Sequence, residues 1–524
     1  MTPDGRDEAA GGEPGDPPGP QARLRRWRWI LAQGPPLVRP SGRGQAPPYT
    51  GVLELGPPTT SSFPLIDGAP RFTTAAQKRD IRRLLRGSLY SGLVPHPPVE
   101  QYPISDVMGF ALDLGAAMLR CGANGRDTEV AIVAVTATWE LAPLELEITT
   151  SAVRLQFSPA GEAPITEMRI VRDFGYDLAA LARIYRLVDE IVAGRLDMAG
   201  AARRLDVIDG MGHRWPVWAQ VGAMGVLGIL LSFLAGGDWR SGAGAFVLVI
   251  VALSLGRGIA RRTVPSFFNV AAQSAVGLAL GTATLALGWL SAAQTASMVA
   301  PLLVLLLPHP AIVAFAQDAI TNFRDPANAR GLSIALVVFG VLLGMPAGLV
   351  VTSWFHVAVD PTRIVLVPLT LPFALLASTG AALANAVGQG ASGRMMPMIA
   401  VAAAATALAQ RAFLDLGFSA LFATFAAAAV LGAICTLAAA RMRTAVLVLA
   451  VPAYCGALLP ALAVAYSLLN LVAGAPQAGY DFAIALLSTL AIGAGLVLGT
   501  LAATPTVRRL VARQQAGESP NRRR

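Results

Sequence analysis

The side chains with the most chemistry to offer stand where proline interrupts two apolar runs, Leu305-Leu306-Leu307-Pro308-His309-Pro310 and Leu458-Leu459-Pro460-Ala461-Leu462. A proline within a helix withdraws a backbone donor and releases the carbonyl one turn earlier. In a bilayer such groups are tolerated only where they line protein or water, and there they can hold a zwitterionic solute. Pro308, Pro310 and Pro460 are therefore candidates for a solute path, with a simple packing kink as the structural alternative. His309 beside the first break can titrate near neutral pH and couple protons to transport; a neutral imidazole bonded to a carbonyl is the plainer reading. Asp318, with Gln317 beside it and Asn322 one turn on, can exchange a proton as its surroundings turn wet or dry, or simply pair with Arg324 or Arg330. Asn385, Gln389 and Asn470 supply amides that either meet a substrate or bridge helices.

These positions need long apolar elements to carry them. Hydrophobic segments are expected near 216–236, 242–256, 267–290, 295–317, 332–354, 364–387, 395–414, 418–440, 445–471 and 482–503. The two breaks fall in the fourth segment of each half. Five segments per half, an odd number, turns the second copy upside down, and matched breaks in inverted halves point to a transport site. The expected fold is thus an α-helical polytopic membrane protein of about ten transmembrane helices in an inverted 5+5 repeat, with a cytoplasmic α+β domain in front. The expected division is 1–98 as a Pro/Gly-rich disordered tail, 99–213 as the α+β domain, 214–355 and 356–504 as the membrane halves, and 505–524 as a basic tail.

Composition agrees: mean hydropathy is +0.56 over 524 residues and 14% are charged, too apolar for an ordinary soluble chain. Residues 1–214 hold 24 Lys+Arg against 25 Asp+Glu, and the remainder holds 17 against 7. The excess positive charge therefore lies in membrane loops and the tail, which argues against a nucleic-acid partner. Arg257, Arg261, Arg262, Arg324, Arg330, Arg394, Arg441 and Arg443 fall on one side of a ten-span arrangement, and only Arg240, Arg363 and Arg411 on the other. By the positive-inside rule both termini are cytoplasmic and the protein is a multi-pass protein of the cytoplasmic membrane. Cys121, Cys435 and Cys455 form neither a disulfide framework nor a zinc motif. No metal or other cofactor is expected, and no signal peptide is read at the start. The segment Arg23–Ile30 either touches anionic lipid or is a solvated basic stretch.

In the front domain, Val107, Phe110, Ala111, Leu114 and Met118 recur at helical spacing, with Gly122 as the stop. A second helix is expected over 127–137, strands over 144–149, 153–157 and 165–171, and helices over 178–191 and on to about 208. Asp113 and Glu129, near Cys121, hint at hydrolytic chemistry, against which stand capping and salt-bridge roles. No G-x-S-x-G, Walker A or H-E-x-x-H motif accompanies them, so the chain is not by itself an ATP-driven pump.

The front residues Leu112-Asp113, Leu119-Arg120-Cys121-Gly122-Ala123-Asn124 and Glu129, with the later stretch 178–205, resemble the N-terminal domain of the threonine/serine exporter family. The Pro308 stretch running into Gln317-Asp318-Ala319 and Arg324-Asp325 resembles that family's first proline motif and the Asp-bearing loop after it. The stretch from Pro452 to Tyr466 resembles the second, which brings Tyr466 among the pathway candidates. The likeness covers about residues 100–505. His309 and Ala461 stand where the family usually has glycine, and Asp127-Thr128 where a basic residue usually precedes Glu129. The resemblance implies export of a small amino acid, threonine or serine, driven by protons. The rivals are a membrane-anchored hydrolase-like enzyme and a passive channel or regulator. Association into a homo-oligomer is left open.

Overall fold

Apolar residues spaced three and four apart bury one face of α1 (Ile104–Arg120), with Met108, Leu112, Leu114 and Met118 almost wholly enclosed. Gly122 turns the chain at φ +89°, and a Cβ there would lie 2.6 Å from the Tyr176 ring. The computed structural model describes residue 85 and residues 102–141, 144–149, 151–158, 163–171, 175–353, 369–472 and 474–518, all within the unit Pro70–Arg524. Apart from residue 85, the expected tail 1–98, with its Arg23–Ile30 segment, lies outside the described residues. So do Arg363, the start of the sixth expected span and the last six residues.

After the turn, Asn124 caps α2 (Gly125–Thr138), its side chain accepting the Asp127 N–H at 2.7 Å. β1 (Glu145–Ile148), β2 (Ala152–Phe157) and β3 (Ile165–Ile170) form an antiparallel sheet in that order. Alternation along β2 buries Val153, Leu155 and Phe157, and the strand lies against α1. Two further helices, α3 (Leu178–Val192) and α4 (Met198–Gly210), are capped by Asp177 and Asp197 and complete this α+β unit.

From Pro216, which precedes the first helical residue, the chain is helical and apolar. The helices are α5 (Val217–Leu234), α6 (Trp239–Ala260), α7 (Ser266–Ala286), α8 (Ala292–Leu306), α9 (His309–Ile320) and α10 (Arg324–Ser353). There follow α11 (Leu371–Gly388), α12 (Met396–Asp415), α13 (Ala420–Met442), α14 (Val446–Ala457), α15 (Ala461–Val472) and α16 (Ala478–Glu518). Eight of them are long and apolar enough to cross a membrane, and α8 with α9, bent by 48°, makes up to nine. Short α14 and α15, separated by a break at Pro460, occupy the place of the remaining expected span. Only 22–44% of the residues in the eight apolar windows are buried by protein. On α10, Leu332, Leu336, Phe339, Leu343 and Val350 form an outward apolar stripe. Such a surface calls for lipid, and the chain is a multi-pass membrane protein.

Packing follows a pattern. α8 lies against α5, α6 and α7, and α14 against α11, α12 and α13. α7 pairs with α10, and α13 with α16. α5 meets α11, α9 meets α16, and α8 meets α15, so the segment before the first break touches the segment after the second.

Candidate functional site

Two prolines two residues apart make the first break. In a continuous helix Pro308 and Pro310 would face the carbonyls of Val304 and Leu306, and neither can donate. Val304 is met instead by the Leu307 N–H at 3.1 Å. Pro308 takes φ −80° and ψ 66°, and the His309 N–H reaches back to Leu307 O at 2.8 Å, an inverse γ-turn. α9 then starts with His309 buried and Pro310 in its first turn. At the second break the Leu458 N–H closes on Tyr454 O at 3.0 Å, and helix resumes with Val464 N–H on Pro460 O at 2.9 Å. α14 can lie close to α11 because Gly456 faces the Ser378 carbonyl with no room for a Cβ.

Unpaired buried polar atoms occur on both interrupted spans and on α11. His309 Nε2, Gln317 Oε1, Gln389 Oε1, Tyr454 OH, Tyr466 OH and Asn470 Oδ1 are buried and have no hydrogen-bond partner among the described residues. An unpaired buried polar group costs on the order of 1–3 kcal/mol, so each calls for a reason. His309 stands at the first break and Tyr454 one turn before the second, with Tyr466 and Asn470 on the helix after it, whereas Gln317 is in the last turn of α9 and Gln389 at the C-terminal end of α11. Asn385 is otherwise engaged: it donates to Val451 O at 3.5 Å and accepts from Gln389 Nε2 at 2.9 Å, linking α11 to α14. Pro460 lines a cavity of about 480 Å³ with Ser378, Gln410 and Arg411. Asn322 is exposed at φ +66° and ends α9 in a left-handed cap. It lines none of the cavities described here.

Asp318 has a different setting. It is 1% exposed, and its Oδ2 lies 3.3 Å from Nε of Arg330 on α10. Its Oδ1 accepts the Gly125 N–H at 3.4 Å, at the N-terminus of α2. Arg330 also donates to Ala123 O at 3.3 Å. The carboxylate thus adds to Asn124 as a cap on a helix from the α+β unit, where the helix dipole favours negative charge. Of the two partners proposed from sequence, the structure chooses Arg330. The other membrane half grips the same unit: Leu178 N–H bonds to Gln389 O at 3.2 Å, and Arg443 pairs with Asp189 at 3.1 Å.

The remaining front-domain candidates separate. Asp113 pairs with Arg169 at 2.7 Å on the surface of the sheet, both about half exposed. Glu129 is partly buried on α2, and burial raises its carboxyl above the ordinary value while Arg126 opposes this. Sequence reasoning missed Tyr454, which a run of apolar neighbours disguises as core. It also missed Asp127, whose carboxyl is raised by burial and held by the Tyr185 hydroxyl.

A multi-pass helical protein with an interrupted fourth span and an α+β unit clasped to one end is a recognisable class of membrane protein. The family described as "Putative threonine/serine exporter" matches residues 109–352. A protein of Mycobacterium tuberculosis (strain ATCC 25618 / H37Rv) named "Probable threonine/serine exporter" is 30% identical over 413 residues, 76% of this chain and 77% of the relative. A Corynebacterium glutamicum protein named "Threonine/serine exporter" is 26% identical over 282 residues, 51% of this chain and 55% of that one. The chain belongs to the threonine/serine exporter family, as its residues suggested. No solved structure gives a significant match.

Proposed function

We propose that the chain exports small hydroxy amino acids of the threonine or serine type across the cytoplasmic membrane, by alternating access driven by the proton-motive force. The carrying observation is the set of unpaired buried polar atoms on the two interrupted spans, His309 Nε2 at the first break and Tyr454 OH, Tyr466 OH and Asn470 Oδ1 before and after the second, in a chain of this family. They suit a wetted path where a solute's ammonium, carboxylate and hydroxyl find partners. The packing correspondences support a five-plus-five repeat, α5–α10 and α11–α16, with one half rocking against the other. Arginine bias supports cytoplasmic termini. His309 and Asp318 are the proposed proton carriers, and the α+β unit, clasped by both halves, regulates the inner mouth.

The test is efflux from cells fed threonine- or serine-containing dipeptides, with and without this chain. Uphill export that collapses with an uncoupler supports the reading; export that only follows the gradient, or none, refutes it. Asp318→Asn should lose pH-dependent export at normal abundance in the membrane.

A further inference from the structure

Where the α+β unit meets the membrane helices lies a cavity of about 400 Å³, within the range of small-molecule sites, ~300–1,000 Å³. Its polar and charged walls come from both parts of the chain. α2 brings Arg126 and Asp127, α9 brings Gln317, the turn before α14 brings Thr444, and α16 brings Arg508. The charge set is one carboxylate and two guanidinium groups, and neither arginine forms an ion pair among the described residues. Gln317 Oε1 and Thr444 Oγ1, both wall residues, are buried and unpaired. The Asp127 backbone is fixed by the Asn124 cap, and Tyr185, which also lines the cavity, holds the carboxylate.

A free amino acid has the complementary inventory: a cation, an anion and, in threonine or serine, a hydroxyl. We infer that this cavity binds a zwitterionic α-amino acid, with Asp127 receiving the α-ammonium and Arg126 and Arg508 the α-carboxylate. Gln317 and Thr444 are left for the side-chain hydroxyl. The inference rests on the exporter reading and adds the place where the solute is taken up. Asp127 and Arg126 belong to the α+β unit, while Gln317, Thr444 and Arg508 belong to the membrane helices. The site is therefore whole only while the unit is docked, which makes the unit part of substrate recognition.

The experiment measures binding of radiolabelled L-threonine to the purified full chain in lipid nanodiscs. Two competitors lack one end each: 3-hydroxybutyrate has no ammonium, and 1-amino-2-propanol has no carboxylate. Wild type should bind threonine and prefer it to either competitor by at least about tenfold, the loss expected for one charge-assisted hydrogen bond. Asp127→Asn should weaken threonine at least about tenfold while leaving competition by 3-hydroxybutyrate unchanged. Arg508→Gln, on an exposed stretch of α16, should weaken threonine and spare 1-amino-2-propanol, and it carries the test if the Asp127 variant fails to fold. Threonine binding by both variants as tightly as by wild type overturns the site and leaves the exporter reading standing. Wild type that neither binds nor exports any small amino acid overturns the exporter reading itself.

Discussion

Replacing Asp318 with Asn should loosen the grip of the membrane helices on the α+β unit. The side chain keeps its shape and an acceptor for the Gly125 N–H, but loses the charge that pairs with Arg330 at 3.3 Å and faces the α2 N-terminus. A charge-assisted contact is worth about 1.5–3 kcal/mol, and a carboxylate at a helix N-terminus about 0.3–1 kcal/mol more. Relief of the desolvation borne by a carboxylate only 1% exposed offsets part of that loss. The net is about 2 kcal/mol against docking, or roughly a 30-fold rise in the undocked fraction. Amide hydrogen exchange of a peptide covering residues 123–130, in the purified protein, reads this opening directly. Those amides should exchange roughly 30-fold faster in the variant, with protection of the β-sheet unchanged. Arg330→Gln should be at least as disruptive, because it strands the buried carboxylate, and the double variant should cost less than the two singles summed. Unchanged protection in Asp318→Asn would refute the reasoning that this carboxylate fastens α2.

Burial, then the nearby Asp177 carboxylate, push the Cys121 thiol from 9.0 up to about 12. Its alkylation at pH 8 should be about a thousandfold slower in the native protein than in the denatured chain; equal rates would contradict that environment. Glu129 is raised above 4.5 by burial, so the folded state holds its proton more tightly than the unfolded state does. The contribution is fully present below about pH 4.5 and is lost as pH rises through the raised value. Glu129→Gln should flatten that part of the thermal midpoint's pH profile, raise the midpoint at pH 7 and retain export. An unaltered profile counts against the assignment. Tyr454→Phe deletes only an unpaired buried hydroxyl. Membrane abundance should be normal or higher while export falls; export at the wild-type rate would reduce Tyr454 to packing.

Local structure was largely written in local pattern. The spacing of Val107 to Met118 marked α1, the alternation of residues 153–157 marked β2, and Pro308 marked a 48° bend. Ends were less legible. Helix α2 starts at Gly125 rather than 127 because Asn124 caps it. Helix α16 runs through Pro505 to Glu518, beyond the stop expected at 503, since a proline lacking one donor bends a helix without having to end it. The site was half legible. His309, Gln317, Gln389 and Asn470 stood out as polar residues in apolar runs, Tyr466 entered only through the family resemblance, and all five carry unpaired buried atoms. No sequence period reveals that Asp318 caps a helix starting at Gly125, 193 residues earlier. Nor does one reveal that Asp127 shares a cavity with Arg508. Such meetings depend on docking one unit against another, which leaves no periodic signature.

The central claim is that the two broken spans line the solute's path. It is tested most directly by cysteine accessibility in a chain whose three native cysteines have been replaced. Tyr466→Cys and Asn470→Cys, beyond the second break, are compared with Leu332→Cys on the outward apolar stripe. A membrane-impermeant methanethiosulfonate should modify the first two, and L-threonine should protect them, while the third stays unreactive. Failure of positions 466 and 470 to react, or reaction that threonine does not slow, would contradict the account.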